Sequence, residues 1–126
     1  MKLTQLTIIA ATCLLANLFC VGCSSSSAPP ESLTAEQLPG AMQQAFAKAK
    51  PDLKELANQA VAFVQNKNYS QAYAGLQDLS TRSGLTKNQA SVISRALLTV
   101  NGLLQSAKST GDPQAAQLLK QIHDSK

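Results

Sequence analysis

The chain has 126 residues, 44% hydrophobic and 14% charged, with 11 Lys and Arg against 7 Asp and Glu for a formal net charge of +4. That length fits one domain, large enough for a modest core but not a deep one. The basic residues are scattered and aromatics make up only 4%, which argues against a nucleic-acid binder with its basic stripe and interleaved aromatic rings.

Met1 and Lys2 lead into an apolar run from Leu6 to Gly22, followed by Cys23 and then Ser24-Ser25-Ser26-Ser27-Ala28-Pro29-Pro30. The run lies at the lower edge of the roughly 17–25 residues that cross a bilayer and includes Thr7, Thr12 and Asn17. Its end, Cys20-Val21-Gly22-Cys23, resembles the lipobox that closes the signal peptide of a bacterial lipoprotein precursor. Val21 and Gly22 fit that box; Cys20 stands where Leu is usual. Phe19 is too bulky for Cys20 to be the modified residue.

The resemblance implies cleavage before Cys23 and lipidation of Cys23 by a thioether-linked diacylglycerol and an N-terminal acyl chain. One chain anchors marginally, whereas two or three hold stably, at about 0.8 kcal/mol per buried CH₂. Ser24 in place of the Asp that favours inner-membrane retention points to the outer membrane of the cell envelope. Apart from the resemblance, the same run reads as an ordinary secretion signal or an uncleaved signal anchor. The expected organisation is therefore residues 1–22 as signal peptide, 23–33 as lipidated Cys and Ser/Pro tether, and 34–126 as a helical domain. All three cysteines lie at or before Cys23. The domain thus has none for an internal disulfide, although an exported compartment would permit one.

From Thr34 onward the chain has helical periodicity throughout, rich in Ala, Leu and Gln, without strand-like alternation. Thr34-Ala35-Glu36-Gln37 forms a capping box. Pro39 and Gly40 are expected to interrupt, placing the first helix over about Pro39 to Lys50 with Met42, Ala45, Phe46 and Ala49 inward. Pro51 opens a second helix carrying Leu53, Leu56, Ala57, Ala60, Phe63 and Val64, which stops near Asn66-Lys67-Asn68. Asn68 caps a third, with Tyr69, Ala72, Tyr73, Leu76 and Leu79 along one stripe. Ser83-Gly84 is expected to stop it.

Thr86 and Gln89 form another capping box and open the longest helix, about Lys87 to Lys108. Ile93, Ala96, Leu97, Val100, Leu103, Leu104 and Ala107 make its apolar face, and Gly102 is expected to permit close helix approach. Asp112-Pro113 starts the last helix with Ala115, Ala116, Leu118, Leu119 and Ile122. The fold class is therefore all-α, a small helical-hairpin bundle of four to five helices.

Two bends share a pattern: Lys67-Asn68-Tyr69-Ser70-Gln71-Ala72 and Gly111-Asp112-Pro113-Gln114-Ala115-Ala116. Both resemble the bend between the paired helices of a tetratricopeptide (TPR) repeat, with Ala60, Phe63, Tyr69, Ala72 and Leu76 matching its small and large positions. The resemblance implies TPR-like hairpins that present a groove. The bends are further apart than that repeat's length of about 34 residues. The other reading, an irregular bundle whose turns share good capping chemistry, stays open.

Catalytic inventory is thin. The single His, His123, is near the C-terminus, and the acids Glu31, Glu36, Asp52, Glu55, Asp78, Asp112 and Asp124 are dispersed. Asp52 and Asp112 read as helix starters. No phosphate loop, nucleophile elbow or zinc-ligand spacing occurs. Tyr69 and Tyr73 lie one turn apart, as an aromatic platform or, more simply, as hairpin packing. The expectation is a protein that is not an enzyme, without cofactor or metal, attached to the membrane by its lipid and binding a protein or peptide partner. The alternative is a small-ligand or lipid carrier with an apolar pocket inside the bundle. A groove lined by Gln, Asn and Ser favours the first; a closed chamber of Leu, Phe and Val favours the second.

Overall fold

A computed structural model describes residues 29–126. These residues form five helices: α1 (Gln37–Phe46), α2 (Pro51–Gln65), α3 (Tyr69–Ser80), α4 (Lys87–Ser109) and α5 (Pro113–Asp124). The described residues contain no strand. The expected signal peptide and Cys23 lie outside them, as does most of the expected tether.

Entry into α1 follows the capping box. The Gln37 amide donates to Thr34 Oγ1 at 3.2 Å and the Thr34 amide donates to Gln37 Oε1 at 3.1 Å. Pro39 and Gly40 do not interrupt; they belong to the first turn of the helix. Amides there have no intrahelical carbonyl to reach, so a residue lacking N–H loses little. The helix also ends earlier than expected, at Phe46. Pro51 disfavours helical backbone in the residue before it, and Lys50 is extended at φ −58°, ψ 151°.

The bend between α2 and α3 closes as a Schellman motif: the Lys67 amide reaches the Val64 carbonyl at 3.0 Å and the Asn68 amide the Phe63 carbonyl at 2.8 Å. Lys67 takes the left-handed conformation, φ 58°, that such an ending requires. Asn68 then caps α3, its side chain accepting from the Gln71 amide at 3.4 Å. The bend between α4 and α5 repeats this arrangement. Gly111 (φ 95°) donates to Lys108 O, and Asp112 donates to Ala107 O, both at 3.0 Å. Asp112 Oδ1 accepts from the Gln114 and Ala115 amides at 2.9 and 3.2 Å. In each bend one residue finishes a helix and starts the next. The similarity seen in sequence is thus one of backbone geometry.

The end of α3 departs from expectation. The helix stops at Ser80, where the Ser80 and Thr81 hydroxyls donate back to the Gln77 and Asp78 carbonyls at 2.6 and 2.8 Å. Gly84, at φ 83°, turns the linker beyond it. The second capping box opens α4, with Thr86 and Gln89 exchanging bonds of 2.9 and 3.1 Å.

Helix α2 packs along α3, α4 packs on both α3 and α5, and α1 closes the bundle against α2 and α4. The shared core is Leu38, Met42 and Phe46 from α1, Leu53, Ala57, Ala60 and Val64 from α2, Ala72, Leu76 and Leu79 from α3, and Ile93, Ala96, Val100 and Leu104 from α4. Small residues set the closest approach. A Cβ on Gly75 would meet Ala60 Cβ at 3.8 Å, ordinary contact between α2 and α3. Gly102, expected to serve this purpose, is exposed and a Cβ there would meet nothing within 4 Å.

Two buried polar side chains tie elements together. Gln89 donates to the Ala45 carbonyl at 3.2 Å, joining α4 to α1. Thr99 donates to the Leu33 carbonyl at 2.6 Å. Among the described residues no buried side-chain polar atom lacks a partner, as a well-packed core requires.

The segment before α1 is part of this packing. Leu33 is 7% exposed and belongs to the core. Arg95 Nε donates to the Glu31 carbonyl at 2.8 Å. Glu31–Leu33, the end of the stretch expected to be tether, therefore lies as a strap across the middle of α4.

Candidate functional site: a basic groove between α4 and α5

Each of α2, α3 and α4 fully buries several apolar side chains, whereas α5 fully buries one, Ala115. It is the last helix of the array and packs mainly on α4. Leu118, Leu119 and Ile122 are consequently left half-buried.

An open groove of about 540 Å³ follows this incompletely covered face. Helix α4 contributes Asn101, Gln105 and Lys108, spaced at helical intervals on one side. Helix α5 contributes Ala116, Leu119, Lys120 and His123, an i, i+3, i+4, i+7 set, together with Ile122. Lys126 closes the far end. The floor is apolar (Ala116, Leu119, Ile122) and the rim is amide and cationic.

No Asp or Glu side chain lines this groove. Among the described residues only Arg82 and Asp78 form an ion pair, elsewhere on the surface at 2.6 Å. The Asp78 hydrogen bond, and then its charge, holds the Arg82 guanidinium above its ordinary value. Lys108, Lys120 and Lys126 thus face the groove without a carboxylate partner among the described residues.

The other residues singled out in the sequence are more dispersed. Tyr69 and Tyr73 are half-buried and pack against the core. Tyr73 Oη accepts from Gln77 at 3.3 Å, and Tyr69 lies beside a smaller depression with Leu103 and Ala107. Glu55 accepts from Gln59 at 3.2 Å and Asp112 is engaged as a cap. Among the described residues no three of His, Cys, Asp and Glu converge. No described helix is long and apolar enough to cross a membrane. Cys23, the expected lipidation site, lies outside the described residues.

Sequence reading treated the lysines as one scattered, solvated set. The fold gathers three of them with His123 around one groove. The signal was present as the α5 register 116, 119, 120, 123 and as Lys108 just before the bend, which an antiparallel hairpin brings alongside it. No family model, no curated protein and no solved structure matches this chain.

Proposed function

We propose that the chain is a lipoprotein, anchored through Cys23 to the cell envelope and most naturally to the outer membrane, whose helical domain binds a protein or peptide partner without catalysing a reaction. The observation that carries the binding half is the α4–α5 groove, open and part apolar, rimmed by Asn101, Gln105 and lysines. A carrier for lipid needs an enclosed apolar chamber; this depression faces solvent and is rimmed by charge. Helical hairpins that expose such a groove bind extended or helical segments. The anchoring half rests on the Val21-Gly22-Cys23 triplet and the serine-rich stretch after it.

Binding at a membrane gains from the anchor itself. A tethered domain samples a thin shell, which raises its effective concentration toward any partner held at the same surface. The test is labelling with a fatty-acid analogue in cells, with Cys23→Ala as control, followed by crosslinking of the envelope. Label in the wild type alone, and a crosslinked adduct lost on Leu119→Lys, are the expected results. Equal label in both chains would remove the anchor, and adducts indifferent to the groove would remove the site.

A further inference from the structure

We propose that the α4–α5 groove takes an acidic amphipathic helix, laid along α5 as a sixth helix of the bundle. This rests on the binding reading above and gives the partner its chemistry. Leu119 and Ile122 are half-buried at the floor, apolar surface that the fold leaves uncovered. Lys108, Lys120 and Lys126 stand at the rim with no Asp or Glu side chain lining the groove. Asp112, at the bend, is occupied with the α5 amides, and Asp124, at the end of α5, neither lines the groove nor forms an ion pair among the described residues. A partner that covers the floor and carries carboxylates on its flanks finds these lysines free to pair with it.

Shape selects a helix over a bilayer. A membrane is flat and meets protruding side chains, whereas Leu119 and Ile122 lie in the floor of a recess. Asn101 and Gln105 on the opposite wall offer donors and acceptors to a polar helix flank. Twelve residues of α5 span about 18 Å at about 1.5 Å per residue. A docked helix can place apolar residues at i, i+3 or i+4, and i+7 along that length, with carboxylates on either side.

The test is selection from a displayed library of helical peptides against the full-length chain in phosphatidylcholine nanodiscs. Enriched peptides should carry an i, i+3/i+4, i+7 apolar stripe flanked by Asp or Glu. Reversing Lys108→Glu together with Lys120→Glu should weaken their binding by about tenfold or more, equivalent to about 1.4 kcal/mol. Lys48→Glu with Lys54→Glu, the same charge change on exposed positions of the α1–α2 side, should leave it within about twofold. Binding should weaken as salt rises, because the Debye length falls from about 10 Å at 0.1 M to about 3 Å at 1 M. Enriched peptides without acids, or equal loss in both double variants, would overturn the proposal while leaving a binding module in place. Failure to enrich any peptide would overturn the proposal, while the envelope crosslinking with Leu119→Lys tests the binding module separately. Groove-dependent binding to phosphatidylglycerol vesicles in place of peptides would assign the site to lipid. Fatty-acid labelling at Cys23 is read separately and is unaffected by any of these outcomes.

Discussion

Cutting the strap before α1 should destabilise the whole domain. Leu33 is 7% exposed, and Leu→Ala at buried sites costs about 2–5 kcal/mol, depending on how far the site collapses. Leu33 sits at the edge of the core on an irregular segment that can readjust, so the low end, about 2 kcal/mol, applies. Thr99→Val keeps the side chain's shape but removes the 2.6 Å bond to the Leu33 carbonyl. That loses about 1–2 kcal/mol through the bond and the carbonyl left without its donor. Each kcal/mol moves the melting temperature of a domain of 60–100 residues by about 4–8 °C, so Leu33→Ala should lower it by about 8–16 °C. The two changes remove different contacts, Leu33's side-chain burial and the bond to its backbone carbonyl, but both loosen the docking of the same segment, and the double variant should fall short of their sum by about 1 kcal/mol. Urea and thermal unfolding of the chain from residue 29 onward give these values. A melting temperature for Leu33→Ala within about 2 °C of the wild type would show that the strap is not part of the cooperative unit.

Three further outcomes can be measured on the same material. Ala72→Glu should cost at least about 3 kcal/mol, since Ala72 is fully buried and nothing there pairs a carboxylate; Lys67→Glu, on an exposed bend residue, should stay within about 0.5 kcal/mol, and similar melts for the two would contradict the packing of α2 on α3. Gly102→Ala should stabilise by about 1 kcal/mol, because the position is helical, exposed and open; a loss would reveal a contact that the fold does not contain. Lys67→Gly should stabilise by about 0.5–1 kcal/mol by relieving a left-handed backbone, while Gly111→Ala at the matching place should destabilise by about 1 kcal/mol; changes of the same sign in both would mean that the two bends are not equivalent.

Local chemistry was legible in the sequence and long-range chemistry was not. The Thr34–Gln37 and Thr86–Gln89 boxes, the Asn68 cap and Asp112-Pro113 each act over three residues or fewer, and all of them form. The apolar stripes give the core because helical periodicity alone decides which side of α2, α3 and α4 turns inward. Pro39 misled because its effect depends on where the helix begins, and the box had already begun the turn. Gly102 misled because glycine in a helix reads the same whether a neighbour approaches or water does. The strap was invisible for a different reason. Leu33 is one apolar residue after a serine-proline stretch, and the side chains that hold the strap, Arg95 on the Glu31 carbonyl and Thr99 on the Leu33 carbonyl, lie more than sixty positions away. The groove's lysines likewise acquire meaning only when α4 and α5 are folded together.

The bend at Gly111 and Asp112 has a mechanical consequence. With one residue ending α4 and starting α5, there is no slack between the two helices at that end. Lys108 therefore faces a wall of fixed width. Away from the bend α5 still packs on α4, but it fully buries nothing after Ala115 and leaves Leu118, Leu119 and Ile122 half-buried. The groove is therefore held by backbone bonds at one end and by partial side-chain packing along the rest. An occupant would supply the missing cover beside His123 rather than beside the bend. Amide exchange should then slow most in the last turn of α5 on binding, with little change beside Asp112.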